Sequence, residues 1–381
     1  MMKSFLFDVV LRPDDICNLV ADRSWLGDEV RRGGRVVFTG RRNTGKTSLV
    51  QSHVIADFRT DHPKGLVVVV DLMGVKDLSD ISERVQHAFE QGLSTVRPAS
   101  TFLKKLAVGL RGVRPTLEID PLTGQPSFTL GLEGRRAGAV DFPLILKQIA
   151  SYHSTHRALI VFDEFQDIAL VKQAEAKMRQ ALQALSGTLP VIALGSKKHL
   201  LSQIFARPAA PLAGWGKYRE IAALSALDYS QYANERFVHY GIEISIEATQ
   251  FLQDQVQNVP ESMNIVCDQI LRLRDGTKGP LANDEILLAL RALVRQRRSL
   301  FEEYLNHFSA KERRFLRVLA SLEPVKQPHS REFLSRAELS PGGNRPILRR
   351  LLDESIVYQL ADGYVLGDPL LGHYLRDQYR I

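Results

Sequence analysis

A glycine-rich segment near the amino end of the chain has residue types and a spacing suited to binding phosphate. Gly40 and Gly45 let the backbone curl so that successive N–H groups point at phosphate oxygens. The helix expected to begin near Gly45 directs its positive end at the same anion. Lys46 would neutralise the β- and γ-phosphates, and the hydroxyl of Thr47 would be a ligand of Mg²⁺. This segment, a P-loop, predicts that the chain binds a nucleoside triphosphate.

The flanking residues supply the strand and the helix that a P-loop requires. Arg35–Thr39 is apolar and rich in strand-forming residues, and Thr47–Ile55 has apolar residues at helical spacing. Because a chance match in a loop lacks this strand, turn and helix, the context favours a true phosphate-binding loop.

A pair of carboxylates supplies what a phosphate-binding loop lacks for hydrolysis. Asp163 and Glu164 directly follow the apolar run Ala158–Phe162, which we expect to form a strand adjacent to the P-loop strand. Phosphoryl transfer needs a metal anchor and a group that orients the nucleophile. Asp163 would anchor Mg²⁺, and Glu164 would orient or deprotonate a water molecule. We interpret the pair as a Walker B motif, with Glu164 and Lys46 as catalytic residues.

A serine at the end of the next predicted strand is a further catalytic candidate. Gly195 and Ser196 follow the apolar run Val191–Leu194. The hydroxyl of Ser196 could sense the γ-phosphate or the attacking water, or it could cap the amino end of the helix that follows. The sequence favours neither role over the other.

The chain is predicted to have three successive parts. Residues 1–226 alternate strands with helices, which is typical of a parallel sheet with right-handed crossovers, and a β-hairpin interrupts them at about 106–133. That hairpin could be a plain surface feature or an arm that binds a partner. Residues 227–297 carry only amphipathic helical patterns and predict an α-helical lid. After a linker around 297–308, residues 309–381 read as three helices and a hairpin, the layout of a winged helix.

The composition is that of an ordinary soluble globular protein. The chain has 381 residues, of which 44% are hydrophobic and 24% are charged, and this length allows two or three domains. Cys17 and Cys267 are far apart in sequence, so neither a disulfide framework nor a zinc site is expected. The sequence has no pattern of a signal peptide or a membrane helix, and we expect a cytoplasmic protein.

Together these features resemble the archaeal-type P-loop ATPases of the AAA+/STAND branch, which also occur in bacteria. The resemblance extends over nearly the whole chain and rests on the P-loop, the lid, and the segments Ala21-Asp22-Arg23, Asp163-Glu164-Phe165-Gln166, Gly195-Ser196 and Asp368-Pro369-Leu370. It implies an α/β fold with an additional-strand parallel sheet, an all-α lid and a winged helix, with ATP bound between the first two parts.

The sequence departs from that family at two places near the expected nucleotide. Asn43 stands where the family has the second arginine of a pair, and Asn258-Val259-Pro260 stands where the family tends to have Gly-x-Pro. Asparagine tolerates the left-handed backbone conformation better than other residues except glycine. The residues expected to contact the nucleotide are Gly40, Arg41, Arg42, Asn43, Thr44, Gly45, Lys46, Thr47, Ser48 and Pro260.

The winged helix suggests an anionic partner. Its predicted recognition helix carries Arg345, Arg349 and Arg350, which could meet phosphates or guanine edges of duplex DNA. The net charge is +7, and residues 291–381 hold 16 lysines and arginines against 11 aspartates and glutamates. This excess is compatible with an anionic partner or with a solvated basic surface. A winged helix also serves as a protein-docking or autoinhibitory module.

We therefore expect an ATP-binding, Mg²⁺-dependent ATPase that acts as a switch and couples its nucleotide state to a module binding DNA or a protein. It could assemble with further copies of itself, and no membrane partner is expected. The alternative is a DNA-binding or signalling regulator in which ATP is mainly a structural ligand with little turnover. A small-molecule kinase is disfavoured because no second substrate-binding motif is visible.

Overall fold

The computed structural model describes residues 3–96, 102, 106, 108, 113–119, 126–132 and 139–378. Its contacts divide the chain into two compact units. The sheet unit consists of Val20–Gly40 and Lys46–Ile221, and the helical unit consists of Met1–Leu19, Arg41–Gly45 and Ala222–Ile381. Most of the P-loop thus groups with the helical unit. The predicted division into a core, a lid and a winged helix at residues 226, 297 and 309 stays a prediction.

The sheet unit alternates strands and helices along the chain. Its strands are β1 (Arg35–Thr39), β2 (Leu66–Asp71), β3 (Val113–Ile119), β4 (Pro126–Leu132), β5 (Ala158–Asp163), β6 (Val191–Gly195) and β7 (Lys217–Glu220). Its helices are α1 (Val20–Arg31), α2 (Lys46–Leu49), which continues through π-helical turns (Val50–Ile55) into α3 (Ala56–Asp61), then α4 (Leu78–Val96), α5 (Phe142–His156), α6 (Ala174–Gln183) and α7 (Lys198–Phe205).

Five of these strands form one parallel sheet in the order β2-β5-β6-β1-β7. This arrangement confirms the predicted α/β fold with an additional strand, since β6 lies between the P-loop strand and the strand that ends in the acidic pair. One detail of the prediction is wrong, because β5 is not adjacent to β1. The intervening β6 pairs with both, through Phe38 opposite Leu194 and Phe162 opposite Ala193.

Four strands of the sheet, β1, β2, β5 and β6, are largely buried, whereas β7 at the edge is mostly exposed. Every residue of β6 is buried, as is every residue of β5 except Asp163 at its end. Burial on both faces explains why these strands appear in the sequence as continuous apolar runs rather than as alternating patterns. Helix α4 packs closely on β2, where a side chain at Gly92 would come within 2.5 Å of the carbonyl oxygen of Val67.

The predicted hairpin is present, since β3 and β4 pair antiparallel. Its second strand is fastened to α4, because the backbone N–H of Phe128 donates to Ser94 and that of Leu130 donates to Glu90, at 2.9 and 2.7 Å. The sequence pattern also predicts a turn at 120–124, and those residues lie outside the described ones. These contacts do not decide between a surface feature and a partner-binding arm.

The sequence also predicts a helix over roughly Ala169–Leu185, and the first five residues of that prediction are wrong. Residues Phe165–Leu170 form a 3₁₀ helix, and α6 begins only at Ala174. Gln173 separates the two with a positive φ of 67°. A residue in this left-handed conformation interrupts a regular right-handed helix, so the 3₁₀ helix and α6 are separate segments.

The helical unit contains helices and short β-pairs. Its helices are α8 (Ala226–Phe237), α9 (Ile246–Gln255), α10 (Pro260–Arg274), α11 (Asn283–Gln296), α12 (Arg298–Asn306), α13 (Ala310–Leu322), α14 (Arg331–Ala337), α15 (Pro341–Asp353) and α16 (Pro369–Gln378). Its strands are β8 (Ile242–Glu243), β9 (Gly279–Pro280), β10 (Val357–Leu360) and β11 (Gly363–Leu366). No helix of the described residues has both the length and the apolarity needed to cross a membrane.

The winged-helix layout is present, since α13, α14 and α15 precede the antiparallel pair of β10 and β11. Two features were missed. The predicted linker at 297–308 is the helix α12, whose buried Phe301 and Leu305 lie one turn apart. Helix α16 follows the hairpin, and at its start the carboxylate of Asp368 accepts a hydrogen bond from the N–H of Leu370 at 2.8 Å.

We expect alanine to have opposite effects at two helical glycines of the sheet unit. Gly92→Ala places a Cβ against the backbone of β2 and should lower the free energy of unfolding by about 1–3 kcal/mol. Gly27→Ala in α1 should raise it by about 0.5–1 kcal/mol, because only the Arg31 side chain is near, at 3.5 Å or more, and alanine favours the helix. Urea denaturation measures both changes. Equal effects at the two positions would contradict the close packing of α4 on β2.

Candidate functional site

The backbone of the P-loop contains two residues in the left-handed conformation. Gly45 has a φ of 88°, and no atom lies within 4 Å of where its Cβ would be, so glycine is required by conformation rather than by space. Asn43 has a φ of 64°. Asparagine at this position therefore suits the backbone better than the arginine expected from the family resemblance. Within the loop, the hydroxyl of Thr44 donates to the carbonyl of Arg41 at 2.7 Å.

The sheet unit brings the predicted Mg²⁺ ligands together. The hydroxyl of Thr47 donates to Oδ2 of Asp163 at 2.9 Å, across 116 positions of sequence. Oδ1 of the same carboxylate accepts from the N–H of Glu164 at 2.9 Å. Burial raises the pKa of Asp163 and the negative charge of Glu164 adds to this, while the hydrogen bond from Thr47 opposes it. A hydroxyl and a carboxylate are the hard oxygen donors that Mg²⁺ prefers.

Lys46 and Ser48, the P-loop residues on either side of Thr47 in the sequence, are buried. Lys46 is the first residue of α2, and Ser48 lies in the same helix. The N–H of Gly40 donates to the carbonyl of Gly195 at 3.2 Å, which ties the end of the P-loop strand to the end of β6. The buried lysine thus carries its charge at the carboxyl edge of the sheet, where phosphate is expected.

The predicted catalytic carboxylate and serine are in direct contact. Oε2 of Glu164 accepts a hydrogen bond from the hydroxyl of Ser196 at 2.7 Å and another from the side-chain amide of Gln166. Glu164 itself has a left-handed backbone, with φ 48° and ψ 42°. The alternative role for Ser196 as a helix cap is wrong, because α7 begins at Lys198 and its capping residue is Lys197.

Three polar residues around Glu164 were missed by the sequence analysis. They are the buried Gln166 and Asp167, which follow the acidic pair, and the buried Lys197, which follows Ser196. Nζ of Lys197 forms an ion pair with Oδ1 of Asp167 at 3.0 Å. The available signal was their position, since polar residues directly after two neighbouring buried strands meet at the same edge of a parallel sheet.

The side chain of Arg41 is placed differently from the prediction that it contacts nucleotide. Within the helical unit, its Nη2 donates to the carbonyl oxygens of Leu366 and Gly367, at 2.5 and 3.0 Å, at the end of β11. The guanidinium also lies 5.1 Å from the ring centre of Tyr358. Burial lowers the pKa of Arg41, because desolvation disfavours the cation. This arginine therefore links the P-loop segment to the winged helix.

Arg42 and Asn43 line a cavity of about 500 Å³ within the helical unit. Its wall also contains Val259 and Glu261, the neighbours of Pro260, which is the first residue of α10. The turn before this helix has the expected left-handed asparagine, since Asn258 has a φ of 51°. Burial and the neighbouring carboxyl of Asp8 raise the pKa of Glu261 to about 7.

The three arginines of the predicted recognition helix, α15, differ in their surroundings. Arg345 is exposed, and the side chain of Arg349 is 81% exposed, with Asp353 at 3.9 Å. Arg350 forms ion pairs with Glu312 at 2.7 Å and with Glu354 at 2.8 Å. Because Glu312 lies on α13, Arg350 holds two helices of the winged helix together. Arg345 and Arg349 are the more accessible to a partner.

The two basic side chains of β7, Lys217 and Arg219, form ion pairs inside the sheet unit. Nζ of Lys217 lies 2.7 Å from the carboxylate of Glu29, and Nε of Arg219 lies 2.7 Å from that of Asp22. Both acids are buried, so these basic residues neutralise carboxylates of α1.

Comparison with known proteins supports the fold. A family model described as a probable winged helix domain matches residues 299–377. The search of curated proteins gave no significant match. A Walker-type ATPase of Pyrococcus abyssi matches with a TM-score of 0.64 at 16% identity, over 98% of this chain and 99% of that chain. The ADP form of the ORC2 protein of Aeropyrum pernix matches with a TM-score of 0.50 at 12% identity, over 99% of each chain.

At sequence identities of 12–16%, these structural similarities show the fold alone. Together with the parallel sheet and the P-loop geometry, they agree with the resemblance to archaeal P-loop ATPases, while the STAND branch stays a prediction. The chain has the fold of a P-loop ATPase and carries a winged-helix domain at its carboxyl end.

Proposed function

We propose that this protein binds ATP with Mg²⁺, hydrolyses it, and couples its nucleotide state to the winged helix. The observation that carries the proposal is the hydrogen bond between Thr47 and Asp163. These two residues come from separate motifs, and each is expected to be a Mg²⁺ ligand on sequence grounds alone. Thr47 directly follows the buried Lys46 in the chain, so this contact also brings the carboxylate of Asp163 to the start of α2.

Each residue of the site has a distinct role in the proposed reaction. Thr47 and Asp163 would hold Mg²⁺, which when bound neutralises phosphate charge and fixes the geometry of the transferring group. Lys46 would bind the β- and γ-phosphates as a charged donor. Glu164 would orient the attacking water or accept its proton, and Ser196 would keep the carboxylate of Glu164 in place.

Coupling to the winged helix is supported by Arg41. Its guanidinium belongs to the P-loop segment and bonds the backbone of Leu366 and Gly367. A change in the conformation of that loop would therefore alter these hydrogen bonds to the winged helix. This contact favours a switch over an ATPase whose nucleotide state affects no other part of the protein.

Removing the P-loop lysine should weaken ATP binding and lower turnover. In Lys46→Ala we expect the affinity for ATP to fall by about 2 kcal/mol, roughly 30-fold, because a charge-assisted contact to phosphate is lost. Isothermal titration and phosphate release measure binding and turnover. Lys177→Ala, which removes a lysine paired with Asp141 in the same unit, serves as the control and should behave as wild type. Unchanged binding and turnover in Lys46→Ala would contradict the nucleotide site.

Removing only the base should separate binding from hydrolysis. In Glu164→Gln we expect ATP affinity comparable to wild type and a decrease in kcat of about 100-fold or more, the usual contribution of a general base. The two assays are again titration calorimetry and phosphate release. A variant that hydrolyses ATP at the wild-type rate would mean that Glu164 has no part in the reaction.

The winged helix is proposed to bind duplex DNA through α15, with a protein partner as the alternative. Arg345 and Arg349 are exposed on this helix and available to phosphates or base edges. Arg350 is less suitable as a contact, because it is engaged with Glu312 and Glu354. Helix α15 also begins with a serine cap, the hydroxyl of Ser340 accepting from the N–H of Gly343.

The double variant Arg345→Ala/Arg349→Ala should weaken DNA binding. We expect the slope of log affinity against log salt to decrease by about 2, since each lost phosphate contact removes about 0.9 from the slope. Fluorescence anisotropy on a duplex at several salt concentrations measures this. The control Arg272→Ala/Arg298→Ala removes the same charge from exposed arginines on other helices. No binding by wild type at low salt, or equal slopes in both double variants, would remove DNA as the partner.

A further inference from the structure

The side chain of Gln166 is fully buried in the sheet unit, and both ends of its amide are hydrogen-bonded. Nε2 donates to Oε2 of Glu164 and to Oδ1 of Asp167, the latter at 3.2 Å. Oε1 accepts from the backbone N–H of Ser196 at 3.2 Å. Because both hydrogens of the amide are donated and the oxygen is also bonded, the amide has one favourable orientation here.

The surroundings enforce that orientation. Asp167 accepts hydrogen bonds from the ammonium of Lys197 and from the backbone N–H of Gly74, at 3.0 and 2.8 Å. A carboxylate held by these donors requires the amino end of the Gln166 amide to face it. The network joins the loops that follow β2, β5 and β6, so Gln166 lies at the meeting point of three strand ends.

The space for the amide is provided by Gly195. A Cβ at this position would clash with Oε1 of Gln166 and would lie 2.7 Å from Cδ1 of Leu201. Glycine at the end of β6 therefore lets the amide approach the backbone of Ser196. This steric feature is independent of the hydrogen bonds and leads to the same conclusion, that the site is built around the glutamine.

We propose that Gln166 is a positioning residue for Glu164, an inference that rests on the proposed ATPase function. Two donors, the hydroxyl of Ser196 and the amide of Gln166, reach the same oxygen, Oε2. Fixing that oxygen sets the rotation of the carboxylate and hence the direction of Oε1, the oxygen that would meet water in the proposed reaction. Ser196 and Gln166 are themselves bonded to each other, so the carboxylate is held by a rigid pair rather than by two independent side chains.

A purely structural role for Gln166 makes a different prediction. It would lower stability when removed but would leave the turnover of the folded fraction unchanged. A role as a clamp that keeps Glu164 inactive would instead make turnover faster on removal. The direction of the change in kcat therefore separates the three possibilities.

The test uses the full chain with Gln166→Met, which keeps the approximate volume and removes every polar atom of the amide. We expect kcat to fall roughly 10- to 100-fold, as is usual when a residue supporting a catalytic group is removed, with the affinity for ATP unchanged. Gln148→Met, a buried glutamine on α5, is the matched control and should lower the melting temperature without changing kcat.

A second variant keeps the test decisive if Gln166→Met folds poorly. Lys197→Met leaves the glutamine in place but removes one partner of Asp167, and it should lower kcat by a smaller factor. In the variant that carries both substitutions, the shift in melting temperature should be less than the sum of the separate shifts, because both act on one network. Additive shifts would contradict a connected network, whatever the activity.

The outcomes are distinct for the two proposals. Absence of any turnover that depends on Lys46 in the wild-type protein would remove the ATPase function and this inference with it. Normal wild-type turnover with an unchanged or increased kcat in Gln166→Met would overturn only the positioning role. A lower kcat with unchanged ATP affinity supports it.

Discussion

The arrangement of the site depends on the parallel pairing of β6 with both β1 and β5. Parallel strands end at the same edge of a sheet, so the segments that follow them meet there although they are far apart in sequence. The register aligns Thr39 with Gly195 and Asp71 with Asp163. Within the sheet unit, Thr47, the acidic pair and Ser196 therefore converge without any long connecting arm. The contact between Thr47 and Asp163 is a consequence of this order of strands.

The sequence could predict the parts of the structure whose physical cause is local. Strands β1, β2, β5 and β6 are largely buried and so appear as unbroken apolar runs, and the phosphate-binding loop is contiguous. Other features depend on partners that no local pattern names. The places of Gln166 and Lys197 in the site depend on contacts between the segments that follow two different strands. Helix α12 was taken for a linker because its buried side is narrow, with Phe301 and Leu305 among charged residues.

Both departures from the related family have a conformational explanation. Asn43 in the P-loop and Asn258 before α10 have φ values of 64° and 51°, in the region that asparagine tolerates better than other side chains. At the first position an arginine would be strained by the same backbone. Asparagine at this position thus avoids backbone strain but lacks the positive charge of arginine. The neutralisation of phosphate would therefore depend more heavily on Lys46. The resemblance to the family drew attention to both positions, and the backbone angles explain the residue found at each.

The side chain of Arg41 gives the proposed switch a physical basis. A buried guanidinium is costly unless its hydrogens find acceptors, and two of the acceptors here are backbone carbonyls at the end of β11, with the ring of Tyr358 beside them. Moving the P-loop segment away from the winged helix would expose this cation to water or leave it buried without these acceptors, and moving the winged helix would do the same. The conformation of residues 41–45 and that of the β10–β11 hairpin are therefore energetically linked within the helical unit. A ligand that binds one conformation of this loop more tightly than another would shift the equilibrium between them. The shift, and hence the change at the Arg41 contact, is limited by the difference between the two binding free energies.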